Sequence, residues 1–265
     1  MRAVESVVLF LIDGMRPDGL RLADTPVIDG LMGAGASTMT AQTVMPTTTL
    51  PCHTSLFFSL LPQDHGILDN AWKPLKTPGK SLFGLLNEQG MAAASFFNWE
   101  PLRNLSPDGA LAASFFLKDR KEHDGSVDRE IASLAVRWLA NNPFQFAFVY
   151  MHNTDRTGHS DGWMSDKYLR AIGNADACIG EVMGVLNGNT AVIVMSDHGG
   201  HDKTHHSDCP EDMTIPFIIR APDIPGGGRI SGDVRITDVA PTIAALLGME
   251  APDSWIGAKI AVQAV

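Results

Sequence analysis

Only three cysteines, Cys52, Cys178 and Cys209, occur in 265 residues, and no two of them form a CxxC pair. That excludes a disulfide framework or a zinc ribbon and leaves each thiol a small, reduced packing residue. Basic residues are in deficit too, 20 Lys and Arg against 30 Asp and Glu, for a net charge of -10 with histidine neutral. Such a chain repels nucleic-acid backbones and anionic membranes, so neither is an expected partner. Any phosphate it handles needs positive charge supplied locally. Long apolar runs are missing as well. The run at 7–12 is preceded by Glu5 and stopped by Asp13, too short for a signal peptide's apolar core followed by a cleavage site. No run approaches a membrane span, and a cytoplasmic location is expected. With no repeat, low-complexity tract or charged linker, residues 1–265 read as one domain with a substantial core.

What is present is an alternation of two patterns. Short apolar segments at 7–12, 92–97, 144–151, 191–195 and 215–219 read as buried strands. Between them lie helical periodicities, one through Ile131, Leu134, Ala135, Trp138 and Leu139, another through Leu169, Ile172, Ile179, Val182, Met183 and Leu186. Gly90 and Gly248 sit where helix C-terminal glycines belong. Stretches 98–108 and 221–228, rich in Pro, Gly and Asn, read as surface loops. This order predicts an α/β fold, a three-layer α/β/α sandwich with a mostly parallel central sheet.

Ligands of such sheets collect beyond the carboxyl ends of the strands. The first strand ends in Asp13-Gly14, the third is followed by Asp155-Arg-Thr-Gly-His159, and the fourth by Ser196-Asp197-His198-Gly199, with His205 shortly after. Five of the nine histidines fall between His159 and His206. Taken singly, Asp13 could cap a turn and a D-x-x-x-H string arises by chance. Their coincidence at three strand ends gives the mixed carboxylate and imidazole set that holds two divalent cations.

A fourth element is Pro46-Thr-Thr-Thr49-Leu-Pro51-Cys-His53, ahead of an apolar stretch at 56–61. Pro51 suits the first turn of a helix, with Thr49 at or just before its N-cap. A hydroxyl there is either a plain cap or a metal-activated nucleophile at a helix end that favours anions; the local sequence leaves both open.

The strings LIDGMRPDGL, MPTTTLPCHTSLFFSLLPQDHGILDN, DRTGHSDG, SDHGGHDKTHHSDCPEDM and TDVAPTIAALLG together resemble the alkaline phosphatase superfamily, in its type I phosphodiesterase/nucleotide pyrophosphatase branch. The resemblance covers nearly the whole chain. It implies an alkaline-phosphatase-like fold and two metal sites, one held by Asp13, Thr49, Asp197 and His198, the other by Asp155, His159 and His205. It implies Thr49, rather than Thr47 or Thr48, as nucleophile, and Asn70, ending His65-Gly-Ile-Leu-Asp-Asn70, as the residue that orients substrate. Cys52 stands where the family often has Asn. The resemblance implies His205 rather than His206 as the last ligand, because Ser207-Asp208 then follows at the family distance.

The expected activity is hydrolysis of phosphate esters by two divalent metal ions, zinc with Mn²⁺ as the alternative, through a phosphothreonine. The expected substrate is a small nucleotide or other diester. A phosphonoacetate hydrolase, a phosphomonoesterase and a non-catalytic phosphoryl-binding protein are the competing readings. His53 and His65 are expected to fix the surroundings of the nucleophile, and His201 and His206 to be solvated loop residues. Trp72 is a core aromatic or a stacking wall, and Arg16, Lys73 and Lys76 are candidate phosphate contacts.

Overall fold

A computed structural model describes residues 4–77, 79–118, 124–230 and 232–263. Among these residues nine strands form one sheet: β1 (Ser6–Ile12), β2 (Ala36–Gln42), β3 (Ala93–Phe97), β4 (Ala113–Phe116), β5 (Phe146–Met151), β6 (Thr190–Met195), β7 (Thr214–Arg220), β8 (Gly228–Ile230) and β9 (Val262–Gln263). Their spatial order is β4-β3-β5-β1-β6-β7-β2-β8-β9. The five from β4 to β6 are mutually parallel. β7 runs antiparallel to both neighbours, and β9 antiparallel to β8. The α/β sandwich with a mostly parallel sheet is therefore the observed fold.

Among the described residues ten α-helices accompany these strands: α1 (Pro17–Leu22), α2 (Pro26–Ala34), α3 (Thr49–Phe58), α4 (Pro62–His65), α5 (Leu82–Glu88), α6 (Ser126–Leu139), α7 (Asn153–Asp161), α8 (Asp166–Met183), α9 (Pro210–Met213) and α10 (Val239–Leu246). Every residue of β1 is buried, as a strand covered on both faces must be. Its side chains alternate between two cores. Val7, Leu9 and Leu11 join Leu56, Phe57, Leu82 and Ile243 of α3, α5 and α10; Val8, Phe10 and Ile12 join Ile28, Ile131 and Ile172 of α2, α6 and α8. Among the described residues no helix is long and apolar enough to cross a membrane.

All five apolar segments are strands, and Gly90 and Gly248 follow their helices with positive φ. One local reading changes, and one strand comes from a segment that carried no strand signal. The 98–108 stretch is not all surface loop: it holds a 3-10 turn over Glu100–Leu105 that buries Leu102 and Leu105. The segment Ala-Ser-Thr-Met-Thr-Ala-Gln of β2 carries no apolar run, yet pairs with β7 and β8 because its polar positions fall on a half-covered face near the sheet margin.

Candidate metal centre and nucleophile

β5, β1 and β6 lie side by side and parallel, with Ile12 opposite Met151 and Leu11 opposite Met195. The chain leaving each strand therefore emerges at one edge. Asp13 follows β1, Asp197 and His198 follow β6, and Asp155 and His159 sit one turn apart on α7. His205 comes from the loop after β6. These residues converge. His198 Nε2 is 3.3 Å from Asp13 Oδ1 and 3.5 Å from Asp197 Oδ2. Asp155 Oδ1 is 3.5 Å from His159 Nε2 and 3.6 Å from His205 Nε2, and the two imidazole nitrogens are 3.2 Å apart. Donor atoms about 3.3 Å apart are the edge of a tetrahedron of ligands drawn at about 2.0 Å from a cation.

Asp13 and Asp197 are each held by one oxygen and present the other. Asp13 Oδ2 accepts from the Tyr150 hydroxyl, and Asp197 Oδ1 accepts from the Gly14 N–H at 3.2 Å. Asp13 Oδ1, Asp155 Oδ1 and Asp197 Oδ2 are buried with no hydrogen-bond partner among the described residues. The imidazoles are oriented in the complementary sense. Nδ1 of His198, His159 and His205 reaches the carbonyls of Gly199 at 2.8 Å, Lys203 at 2.9 Å and Thr47 at 2.5 Å. Donation from Nδ1 fixes the tautomer and turns the Nε2 lone pair into the cluster.

Electrostatics describe a cluster that wants positive charge. Burial drives the Asp13 carboxyl well above the ordinary range, and Asp197 and Asp155 push it further. Burial, reinforced by Asp155, raises Asp197 to about 7. Burial also lowers His198 and His205 to about 3, so both are neutral donors near neutral pH. Orphaned carboxylate oxygens facing neutral imidazole nitrogens fit divalent cations, which would reverse the carboxylate shifts.

Thr49 opens α3 beside this cluster. The helix N-cap is Thr48, whose side chain makes no capping bond. The three threonines separate by partner: Thr47 Oγ1 donates to Ser207 O at 3.2 Å and accepts from His206 N, and Thr48 Oγ1 meets His206 Nδ1 at 2.9 Å. Thr49 Oγ1 alone faces a candidate ligand, 3.4 Å from His198 Nε2. His53, four residues on, binds the Thr49 carbonyl through Nδ1 at 2.8 Å. His65 joins Ser55 to the Ile67 N–H. Both thus hold α3 and the loop after it around Thr49, while His206, read as solvated, is the residue that occupies Thr48.

Asn70 Oδ1 accepts the Leu50 N–H at 3.0 Å, which leaves its Nδ2 as a donor at the N-terminus of α3. Of the first-turn amides Leu50 is taken and Pro51 has none, so the Thr49 N–H is the one without an acceptor among the described residues. The candidate cations are engaged elsewhere. Arg16 binds Asp18 and the Gly200 carbonyl, Lys73 pairs with Asp69 at 3.0 Å, and Lys76 reaches Gln63 O. Trp72 packs against the core.

The sequence did not single out Tyr150, Trp163 or Asp128. Trp163 donates to Gly14 O at 2.9 Å and stands 5.1 Å from the His159 ring. A Cβ at Gly158 or Gly200 would lie 2.6 or 2.2 Å from that indole, so both glycines are required for its approach. Asp128, buried on α6, accepts from the N–H groups of His152 and Asn153 at 3.2 and 3.1 Å and from Asn98 Nδ2 at 2.6 Å. It caps, from another helix, the α7 turn that carries Asp155. Asp128→Ala should destabilise the fold by about 3 kcal/mol, since it strips two helix-end donors and a buried amide of a charged acceptor; urea unfolding of the variant measures this.

Residues 7–213 match the family model for type I phosphodiesterase / nucleotide pyrophosphatase. The chain is 30% identical over 220 residues to ectonucleotide pyrophosphatase/phosphodiesterase family member 1 of Rattus norvegicus, covering 72% of this chain and 24% of that one. It is 28% identical over 222 residues to venom phosphodiesterase CdcPDE of Crotalus durissus collilineatus, covering 73% and 26%. It thus spans about a quarter of the length of these curated relatives. Among solved structures, murine ectonucleotide pyrophosphatase/phosphodiesterase 5 in complex with AMP superposes with a TM-score of 0.77 at 16% identity, covering 94% of this chain and 96% of that one. A 2-O GAG sulfatase gives 0.74 at 16% identity, covering 97% and 73%; at this identity both show the shared fold. With the family model spanning most of the sequence, the chain belongs to the type I phosphodiesterase/nucleotide pyrophosphatase family of the alkaline phosphatase superfamily.

Proposed function

We propose that this protein hydrolyses phosphate diesters by covalent catalysis at Thr49. The carrying observation is the set of three buried carboxylate oxygens without partners, facing imidazole Nε2 atoms, with the Thr49 hydroxyl beside them. Asp13, Thr49, Asp197 and His198 would hold one cation and Asp155, His159 and His205 the other. Two divalent ions held there, zinc by preference for this imidazole and carboxylate set or Mn²⁺, would supply the charge that favours deprotonation of the threonine, offsets the phosphoryl oxygens and activates water.

Thr49 Oγ1 attacks phosphorus in line, the P–O bond to the leaving group breaks, and a phosphothreonine forms. Water then displaces Thr49, and two inversions leave net retention. The Asn70 Nδ2 and the Thr49 N–H donate to non-bridging oxygens. Cys52, although it lies in the nucleophile's helix, is no alternative: it is buried, receives the Thr43 hydroxyl at 3.2 Å, and burial pushes its thiol far up.

Arg16, the arginine considered for the phosphate, is committed to Asp18 and the Gly200 carbonyl. A singly charged diester needs less compensation than a dianionic monoester, and a nucleotide diester suits the family. Bis-p-nitrophenyl phosphate should therefore exceed p-nitrophenyl phosphate in kcat/KM on zinc-loaded protein. The reverse preference across pH would overturn the diesterase reading. Asn70→Ala should lower kcat/KM roughly ten- to a thousandfold, the scale for one lost oxyanion donor, with metal content unchanged.

A further inference from the structure

The loop that delivers His205 contains a second convergence of donors that the mechanism does not use. His201 Nδ1 lies 2.7 Å from Asp212 Oδ1 and 3.7 Å from Cys209 Sγ. The three donor atoms all fall within 4.8 Å of one another. Asp212 is fully buried, and its other oxygen is fixed by the Ser207 N–H at 2.9 Å and the Ser207 hydroxyl at 2.8 Å. The backbone holds the rest in place: Gly199 and Gly200 donate to the carbonyls of Asp212 and Glu211, and Met213 and Asp212 donate to that of Cys209. The donors therefore stand on a pre-stapled frame, which keeps the ordering cost of a ligand low.

We propose that His201, Cys209 and Asp212 form a third cation site, selective for a borderline-soft divalent ion such as zinc and separate from the Thr49 centre. One proton on Nδ1 serves the carboxylate but leaves the nitrogen no lone pair for the thiol, which turns to the exposed Glu211 carboxylate instead, so hydrogen bonding within the cluster joins only two of its three donors. A cation satisfies all three at once. Its binding releases the Cys209 thiol proton and moves the His201 proton to Nε2, giving a thiolate, a neutral imidazole and a carboxylate, with water as the fourth ligand. The Nδ1 to Sγ spacing already matches a tetrahedral edge, and the Nδ1 to Oδ1 contact opens by about half an ångström to reach one. Thiolate ligation disfavours Mn²⁺ and Mg²⁺, so manganese should fill the oxygen- and nitrogen-rich centre and leave this one free.

Cobalt reports the distinction directly, because the Thr49 centre offers only nitrogen and oxygen donors. Reduced, metal-free protein titrated with Co²⁺ should develop a near-ultraviolet sulfur-to-metal charge-transfer band with one equivalent beyond those of the Thr49 centre. Cys209→Ser should remove that band and keep the visible ligand-field bands of the other ions. His201→Gln should weaken the same step at least tenfold, and saturation with Mn²⁺ beforehand should leave it intact. Absence of the band at every loading, or its survival in Cys209→Ser, overturns the site; neither result bears on phosphate ester hydrolysis.

Discussion

Thr49→Ala should reduce kcat by on the order of 10⁴-fold or more, the cost of removing an atom that forms the covalent intermediate. Metal content and fold should hardly change, since Thr49 is one donor among several and the contact its hydroxyl makes is the long one to His198 Nε2 at 3.4 Å. Thr48→Ala loses a hydroxyl bonded to His206 Nδ1 at 2.9 Å, a contact worth about 1 kcal/mol of stability, and should keep most of the activity. Steady-state rates with bis-p-nitrophenyl phosphate, with metal analysis of the same preparations, distinguish the two variants. A mild Thr49→Ala beside an inactive Thr48→Ala would put the nucleophile one residue earlier.

Chelation should lower turnover on the order of 10³-fold or more, given the several kcal/mol of charge stabilisation a two-cation site supplies, and re-addition of zinc should restore it. The metal-free protein should also lose stability as the pH rises above about 6.5. Burial and Asp155 bring the Asp197 carboxyl to about 7 from its ordinary 3.8, so the folded chain holds a proton the unfolded chain has released. Stability therefore falls as the pH rises through that interval, and Asp13, raised well above its ordinary value, acts in the same sense. His198 and His205, lowered to about 3 from 6.5, act oppositely, adding stability as the pH rises from about 3 to 6.5. Above 6.5 only the carboxylate penalty remains. Cations at a hundredfold excess over their Kd remove that penalty and add about 2.7 kcal/mol per site. Thermal melts between pH 5 and 9 with and without zinc test both signs. Asp197→Ala should remain folded, and at pH 8 should exceed the metal-free wild type in stability; its outright unfolding would mean the residue serves the core rather than a cation.

The central strands were legible because each is a short apolar run buried on both faces, as β1 shows at every position. The ligand candidates were legible for a related reason, since a strand of that kind must end where polar residues such as Asp13, Asp197 and His198 begin. β2 was not, because a strand near the sheet margin that buries only part of its side chains carries little periodic signal. Nor was Asp128, whose role is to cap a helix twenty-five residues further on, nor Trp163, whose fit depends on Gly158 and Gly200 coming together.

By itself the sequence determined the α/β architecture, the chemical types at three strand ends and, through its resemblance, the family, because those follow from local polarity and spacing. The resemblance pointed to Thr49, and the tertiary structure supplied the physical difference from its two neighbours by giving Thr47 and Thr48 partners on the loop at 206–207. It also tied Arg16 to Asp18 and Gly200 and drew His201, Cys209 and Asp212 into one cluster. Hydrogen bonds between residues far apart in the chain have no period in the sequence, and they exist only once the sheet has fixed where each loop emerges.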